Sequence, residues 1–326
     1  MRFLVTGASG KVGQAFIGRV LADPGLSAAH IVALCHNRIL APHARIDVVR
    51  GSIAERPTLA RALEGVTHVF HLATVKEDPD LVMDVTIKGL FLLLEAARVS
   101  KTVRQVLLVG GDAAVGHCFV DYPEPVTELS PRRAYPGVYS LSKVIEEEMI
   151  EQYGYQYGLN GTILRAPWIM EKDDFRYALS FGPEQFGGPL WDKLIAPEDN
   201  LRHAKENRVP LLLDTNNRPL KRNFVHVSDL AEAMVKTVDN DAAGGQLFNI
   251  SMTDPVDYGD VAAILQATRG MRPVEIKSSF YSNTLSNAKA RAALDWRPQY
   301  DLKALIEAAF TYQRAVDDPR RIWYAG

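Results

Sequence analysis

The chain has 326 residues, enough for about two average domains or one large α/β domain with an appendage. Hydrophobic residues make up 47% and charged residues 23%, a globular balance that excludes disordered and fibrous architectures. Lys and Arg number 37 against 39 Asp and Glu, so a net charge of −2 offers no overall footprint for nucleic acid or an anionic membrane.

Taken in chain order, short apolar runs at 3–5, 31–35, 48–49, 68–71 and 106–109 read as buried strands. The segments 12–21, 59–63 and 81–97 between them carry the spacing of amphipathic helices. Strand alternating with helix predicts a parallel sheet covered on both faces. Strands buried on both sides are continuously apolar, as IVALC and VLLVG are. A long helix is predicted over 138–157 and a further strand over 161–165. From 170 to 217, charges, glycines, prolines and Trp191 mix without a steady period, and so long an irregular stretch in a compact domain is usually functional. Regularity returns at Asn223-Phe224-Val225-His226-Val227, with a helix over 228–238 and a strand over 247–250. Three helical patterns follow, at 258–268, 287–294 and 302–316.

No apolar run reaches the roughly 18–20 residues that span a bilayer. Cys35 and Cys118 make neither a disulfide framework nor a zinc site, and no metal site is expected. Met1-Arg2 leads straight into Phe3-Leu4-Val5 with no secretory leader, so a cytoplasmic protein is expected.

Residues 6–13 read TGASGKVG, after a predicted strand and opening a predicted helix. In that context Gly7 permits a tight turn, Gly10 lets the backbone approach a pyrophosphate, and Gly13 seats the helix against the sheet. The exposed amides of the helix N-terminus favour phosphate, which brings Ser9, Lys11 and Val12 into the expected cofactor site. At the end of the second strand, an acidic side chain would hold a ribose hydroxyl and an arginine would accept a 2′-phosphate. Here the stretch is Cys35-His36-Asn37-Arg38, without a carboxylate. His36, Asn37 and Arg38 therefore admit either NAD or NADP and tilt the choice toward NADP.

Tyr139 and Lys143 stand four residues apart on the predicted helix, on one face. A nearby ammonium favours the phenolate and draws the tyrosine toward a working range for proton transfer. With both motifs in hand, the chain resembles the extended short-chain dehydrogenase/reductase family, in its NAD-dependent epimerase/dehydratase group. The likeness also covers HLAT at 71–74, VTELSPRRAYPGVYSLSK before and into the helix, RNFVHVSDLAEAM at 222–234, and ALDWRPQYDL near the end.

That resemblance implies a Rossmann-type doubly wound parallel sheet with a smaller, interleaved C-terminal lobe. The dinucleotide domain would take 1–166 and 223–250, and the substrate lobe 167–222 and 251–326. Tyr139 would be the acid/base, and Lys143 would bind the nicotinamide ribose. Ser52, Ile53, Leu72, Ala73, Thr74 and Pro167 would join the cofactor site. Lys76, Asp112, Ala113, Trp168 and Arg222 would face substrate, Arg222 beside a nucleotide-sugar phosphate.

Departures from the family pattern are as informative. Relatives carry Ser or Thr after the fifth strand, and the position matched to it here is Asp112. An ionised Asp112 would raise the Tyr139 pKa, whereas a protonated one would donate to a carbonyl. An adapted catalytic role and lost redox activity therefore both stay open. Ala166-Pro167-Trp168 follows Leu164-Arg165 where relatives place asparagine, and Ser52-Ile53 replaces an acidic–aliphatic pair near the adenine.

The helices near 81–97 and 138–157 carry apolar stripes on more than the sheet side, and the resemblance implies a homodimer through them. Three functional readings follow. One is an oxidoreductase or epimerase acting on a sugar or nucleotide-sugar. A second is a carbonyl reductase for a small non-nucleotide ligand. The third is a non-catalytic dinucleotide sensor.

Overall fold

Parallel neighbours need long crossovers, and helix-length segments between most of the apolar runs supply them, the strands His30–Cys35 and Ile46–Arg50 being joined by an irregular stretch over 36–45. The computed structural model describes residues 1–182, 193–316 and 318. Its first half runs β1 (Arg2–Thr6), α1 (Lys11–Ala22), β2 (His30–Cys35), β3 (Ile46–Arg50), α2 (Arg56–Ala62) and β4 (His68–His71). A short α3 (Pro79–Leu81) passes through a π-helical stretch, Val82–Lys88, into α4 (Gly89–Val99). Next come β5 (Gln105–Gly111), α5 (Val138–Tyr157) and β6 (Gly161–Ala166). The second half runs β7 (Trp168–Met170), α6 (Asp174–Ala178), α7 (Pro197–Lys205), β8 (Val209–Leu213), β9 (Lys221–Arg222), β10 (Phe224–His226) and α8 (Val227–Lys236). It ends with β11 (Leu247–Asn249), β12 (Val256–Asp257), α9 (Tyr258–Arg269), β13 (Pro273–Lys277), α10 (Ala288–Ala293) and α11 (Leu302–Thr311).

Seven strands form one parallel sheet in the order β11-β6-β5-β4-β1-β2-β3. The winding reverses between β1 and β4, the place where ligands bind in such sheets. Alternation along β1 sorts the core into two layers. Phe3 and Val5 face α1 and α8 with Phe16, Val20 and Met234, while Leu4 faces α2, α4 and α5 with Leu59, Leu93 and Ile150. A third core, including Phe175, Leu212, Phe224 and Leu305, belongs to the later elements and their two-stranded pairings β7–β10, β8–β13 and β9–β12.

Two buried polar anchors set the relative placement of these layers. Glu147 of α5 accepts from Arg165 of β6 at 2.9 and 2.7 Å and from Arg132 at 2.9 Å. Asp229 of α8 accepts from the amides of Gln299 and Tyr300 at 3.0 and 3.1 Å, while its own carbonyl accepts from Trp296 Nε1 at 2.9 Å. The ALDWRPQYDL segment therefore docks the C-terminal region on α8.

The structure departs from the sequence reading in three places. The segment 170–217 holds α6, α7 and β8; a five-residue helix and a strand containing Pro210 are too short or broken to show a period. Trp191 lies outside the described residues. The helical pattern at 81–97 is interrupted by the π-helical stretch, and the last helix stops at Thr311, where Tyr312 turns extended. No described helix is long and apolar enough to cross a membrane.

Candidate active site

The glycine loop is shaped by close backbone approach. Gly7 has φ +65°, and a Cβ there would stand 2.9 Å from the backbone of Leu72 and Ala73. A Cβ on Gly13 would stand 2.5 Å from the Gly7 carbonyl oxygen, so α1 sits against its own loop only because position 13 has no side chain. The Gly10 amide donates to that carbonyl at 2.9 Å, and no side chain caps the helix that follows. Its first-turn amides remain available to an anion. Thr6 fastens the neighbouring strand end: Oγ1 accepts from the amides of Leu72 and Ala73 at 3.0 and 3.2 Å and meets His71 Nδ1 at 2.9 Å. With two amides already donating to it, the hydroxyl gives its proton to Nδ1, leaving the neutral ring's N–H on Nε2. Burial, followed by Lys143, holds His71 down to about 3, so it stays neutral.

A cavity of about 720 Å³ runs from this loop to α5. Its wall includes Gly7, Ser9, Gly10, Lys11, Val12 and Gly13 at one end, with Arg38. Leu72, Ala73, Thr74 and Lys76 line its middle, and Asp112, Ala113, Tyr139, Lys143, Pro167 and Trp168 its far end. The Lys11 ammonium leans across to β7 and α6, 3.0 Å from the Ile169 carbonyl and 2.5 Å from Asp174. His36 and Asn37 are exposed and stand off the wall. Ser52 and Ile53 also stand off it: the serine Oγ accepts the Ala54 amide at 3.1 Å, and Ile53 is packed in the core.

At the reaction end, Lys76 Nζ lies 3.6 Å and Lys143 Nζ 5.4 Å from the centroid of the Tyr139 ring. Burial works to raise this phenol, but Lys76 and then Lys143 outweigh it and hold Tyr139 below the usual tyrosine range. Lys143 is buried and pairs with Glu146 Oε2 at 2.7 Å; the other carboxylate oxygen faces His71 Nε2 at 3.9 Å. Burial keeps Glu146 above the ordinary carboxylate range although Lys143 pulls it down. A Cβ on Gly111 would lie 3.5 Å from the Tyr139 hydroxyl, so position 111 abuts the phenol with no side chain.

Asp112 is turned elsewhere. Its carboxylate is bonded to His117 Nδ1, and His117 Nε2 lies 2.6 Å from Arg222 Nη2. A guanidinium only donates, so this hydrogen bond draws on the Nε2 lone pair, while Nδ1–H is donated to Asp112. Burial opposes the imidazolium and Asp112 favours it, lifting His117 to about 9; an imidazolium would set an N–H against the Arg222 guanidinium, so the 2.6 Å contact belongs to the neutral ring. Arg222 is buried off the cavity wall, stacked 3.6 Å over the Trp168 ring, and His117 stacks on the same ring at 6.0 Å. The arginine thus backs the wall, in place of the cavity position the resemblance implied.

Sequence reasoning missed His117, Tyr135 and Val85 on the wall, and Glu146 and Glu77 behind it. His117 has φ 46°, unusual for a non-glycine residue, but no motif announces it.

Comparison with known proteins fits this geometry. The NAD dependent epimerase/dehydratase family matches residues 3–251. UDP-glucose 4-epimerase of Rhizobium meliloti (strain 1021) is 28% identical over 285 residues, spanning 81% of this chain and 82% of that protein. Among solved structures, a short-chain dehydrogenase/reductase superfamily protein from Agrobacterium tumefaciens with bound NAD superposes with a TM-score of 0.80 at 21% identity, covering 95% of this chain and 96% of that one. UDP-glucuronic acid 4-epimerase from Bacillus cereus, in complex with NAD, superposes with a TM-score of 0.73 at 18% identity, covering 96% and 98%. With its glycine loop, its Tyr139–Lys143 pair and a match spanning most of its length, this chain belongs to the NAD dependent epimerase/dehydratase family.

Proposed function

We propose that the protein is a nicotinamide-dependent oxidoreductase or epimerase acting at a hydroxyl or carbonyl carbon of a sugar or nucleotide-sugar. The observation that carries this reading is a single cavity joining the glycine loop to Tyr139 and Lys143 where the strand order reverses. The residues fit a dinucleotide: Gly7 and Gly13 hold a loop that any Cβ would spread, and Gly10 brings uncapped helix amides to the wall. Lys143 is placed for a ribose hydroxyl, and Arg38 for the far end of the cofactor.

A bound nicotinamide supplies the hydride acceptor or donor. Tyr139 takes the proton of the substrate hydroxyl during oxidation and returns it to the carbonyl oxygen during reduction. Flanking ammonium groups hold the phenol below its ordinary value, which favours the base form needed for oxidation. Asp112, bonded to His117, lines the far end of the cavity, where its carboxylate would accept from a sugar hydroxyl. Arg38, with no carboxylate at the end of β2, favours acceptance of a 2′-phosphate, so NADP is expected to bind as well as NAD. Exposed Met83, Phe91 and Leu141 on the α4 and α5 side support a homodimer, checked by sedimentation.

One observation favours a substrate without a nucleotide. Arg222, the cation expected at a diphosphate, is engaged by His117 behind Trp168. The test is turnover of UDP-glucose and UDP-glucuronic acid against the free sugars glucose and glucuronic acid, with NAD and with NADP. Reduced cofactor and separated sugar products are the readouts. Turnover of either class supports the oxidoreductase reading, and the preferred class chooses between substrates. Tight dinucleotide binding with no turnover in any combination would favour the sensor reading.

A further inference from the structure

The cations around Tyr139 are not equivalent. Lys143 is buried and paired with Glu146, and that carboxylate works against it by raising the phenol. Lys76 lies closer to the ring, on the cavity wall, and makes no ion pair among the described residues. Five hydrogen bonds hold the loop that carries it. Thr6 takes the amides of Leu72 and Ala73, and Thr86, in the π-helical stretch, takes the amide of Val75 at 3.0 Å. On the other side of Lys76, the Glu77 carboxylate accepts from Val138 N at 3.0 Å and Tyr139 N at 3.4 Å. Glu77 therefore caps the very helix that presents Tyr139. A Cβ on Gly137 would stand 2.9 Å from that carboxylate, so the glycine before α5 makes room for the clamp.

We propose that Lys76, held over the phenol by the Glu77 cap on α5, is the principal charge partner of the Tyr139 phenolate, with Lys143 secondary because Glu146 neutralises it. The bare position at Gly111 is consistent with this division, since β5 brings no side chain to the hydroxyl at that position. The charged and titratable groups around Tyr139 are Lys76 and Glu77 from the loop after β4, Lys143 and Glu146 from α5, Tyr135 from the segment before α5, and Asp112 and His117 from the far wall. Of these, Lys76 alone brings an unpaired positive charge to the ring. Lys76 acts through Tyr139 and is a positioning residue in this sense. The inference deepens the reading of Tyr139 as acid/base, but its test uses the ligand-free protein and can fail while that reading stands.

The test is an ultraviolet titration of the Tyr139 phenolate, taken for each protein as the difference from the same protein carrying Tyr139→Phe. Lys76→Met is expected to move the midpoint up by about one unit or more, as loss of a cation at this range requires. Lys76→Arg should restore most of the shift, and Glu77→Ala should give a smaller one in the same direction. Lys143→Met should move the midpoint less than Lys76→Met does. A Lys76→Met midpoint unchanged from wild type, or a larger shift for Lys143→Met, would overturn the proposal. Circular dichroism establishes that each variant is folded before it is counted.

Discussion

The two ends of the cavity hold their functional groups by different means. At the glycine loop the working parts are backbone atoms, fixed by contacts that leave no room for a Cβ. At the tyrosine end they are charged side chains, fixed by one another: Glu146 by Lys143, Asp112 by His117, His117 by Arg222. Shape errors at the first end should cost folding and cofactor affinity together. Charge errors at the second, Lys143 with its proposed ribose contact aside, should cost turnover while leaving the fold and the cofactor in place.

The largest effect tests that separation. Tyr139→Phe is expected to lower turnover by about 10²–10⁴-fold, with dinucleotide affinity within about twofold of wild type; steady-state kinetics beside a binding titration measure both. Glu147→Ala is expected to cost about 3–5 kcal/mol, because Arg165 would be left buried without its bidentate partner. The denaturant midpoint reads that loss. Gly13→Ala should cost roughly 1–3 kcal/mol of stability, since its Cβ meets backbone, and should weaken cofactor binding as well. If stability fell while affinity held, the claim that loop shape makes the cofactor site would be wrong. Arg38→Asp is expected to shift preference toward NAD by about tenfold, or ~1.4 kcal/mol, read from paired affinities.

The smallest effect is one of pH. A phenol held below its ordinary value offers its base form at lower pH, so alcohol oxidation should rise as pH climbs through that lowered pKa and then level off. Carbonyl reduction needs the protonated phenol and should fall over the same interval. Removing either flanking cation should move both limbs to higher pH.

Much of the backbone-built end was legible in the sequence because its information is local. TGASGKVG specifies turn, approach and helix start within eight residues, and Tyr139 and Lys143 share a face at helical spacing. The charge-built end depends on pairs far apart in the chain. His117 and Arg222 are 105 residues apart, and Glu77 caps a helix 61 residues away. No periodicity encodes such pairs, so Asp112 was read against Tyr139 when its bonded partner is His117. Ser52 and Ile53 show the opposite failure. Their positions suggested the adenine, but one closes a turn and the other fills the core beneath α4. The segment 170–217 was opaque because its elements are short, with α6 and β8 packing into the third core and α7 burying no residue.

The most direct measurement of the central claim is titration of NADH and NADPH onto the wild-type protein and onto Gly7→Val, followed by cofactor fluorescence. One-site binding in the micromolar range, about −8 kcal/mol, is expected for wild type, with loss of at least a hundredfold in Gly7→Val. Wild-type protein that binds neither dinucleotide at millimolar concentration, or folded Gly7→Val that binds as tightly as wild type, would contradict it.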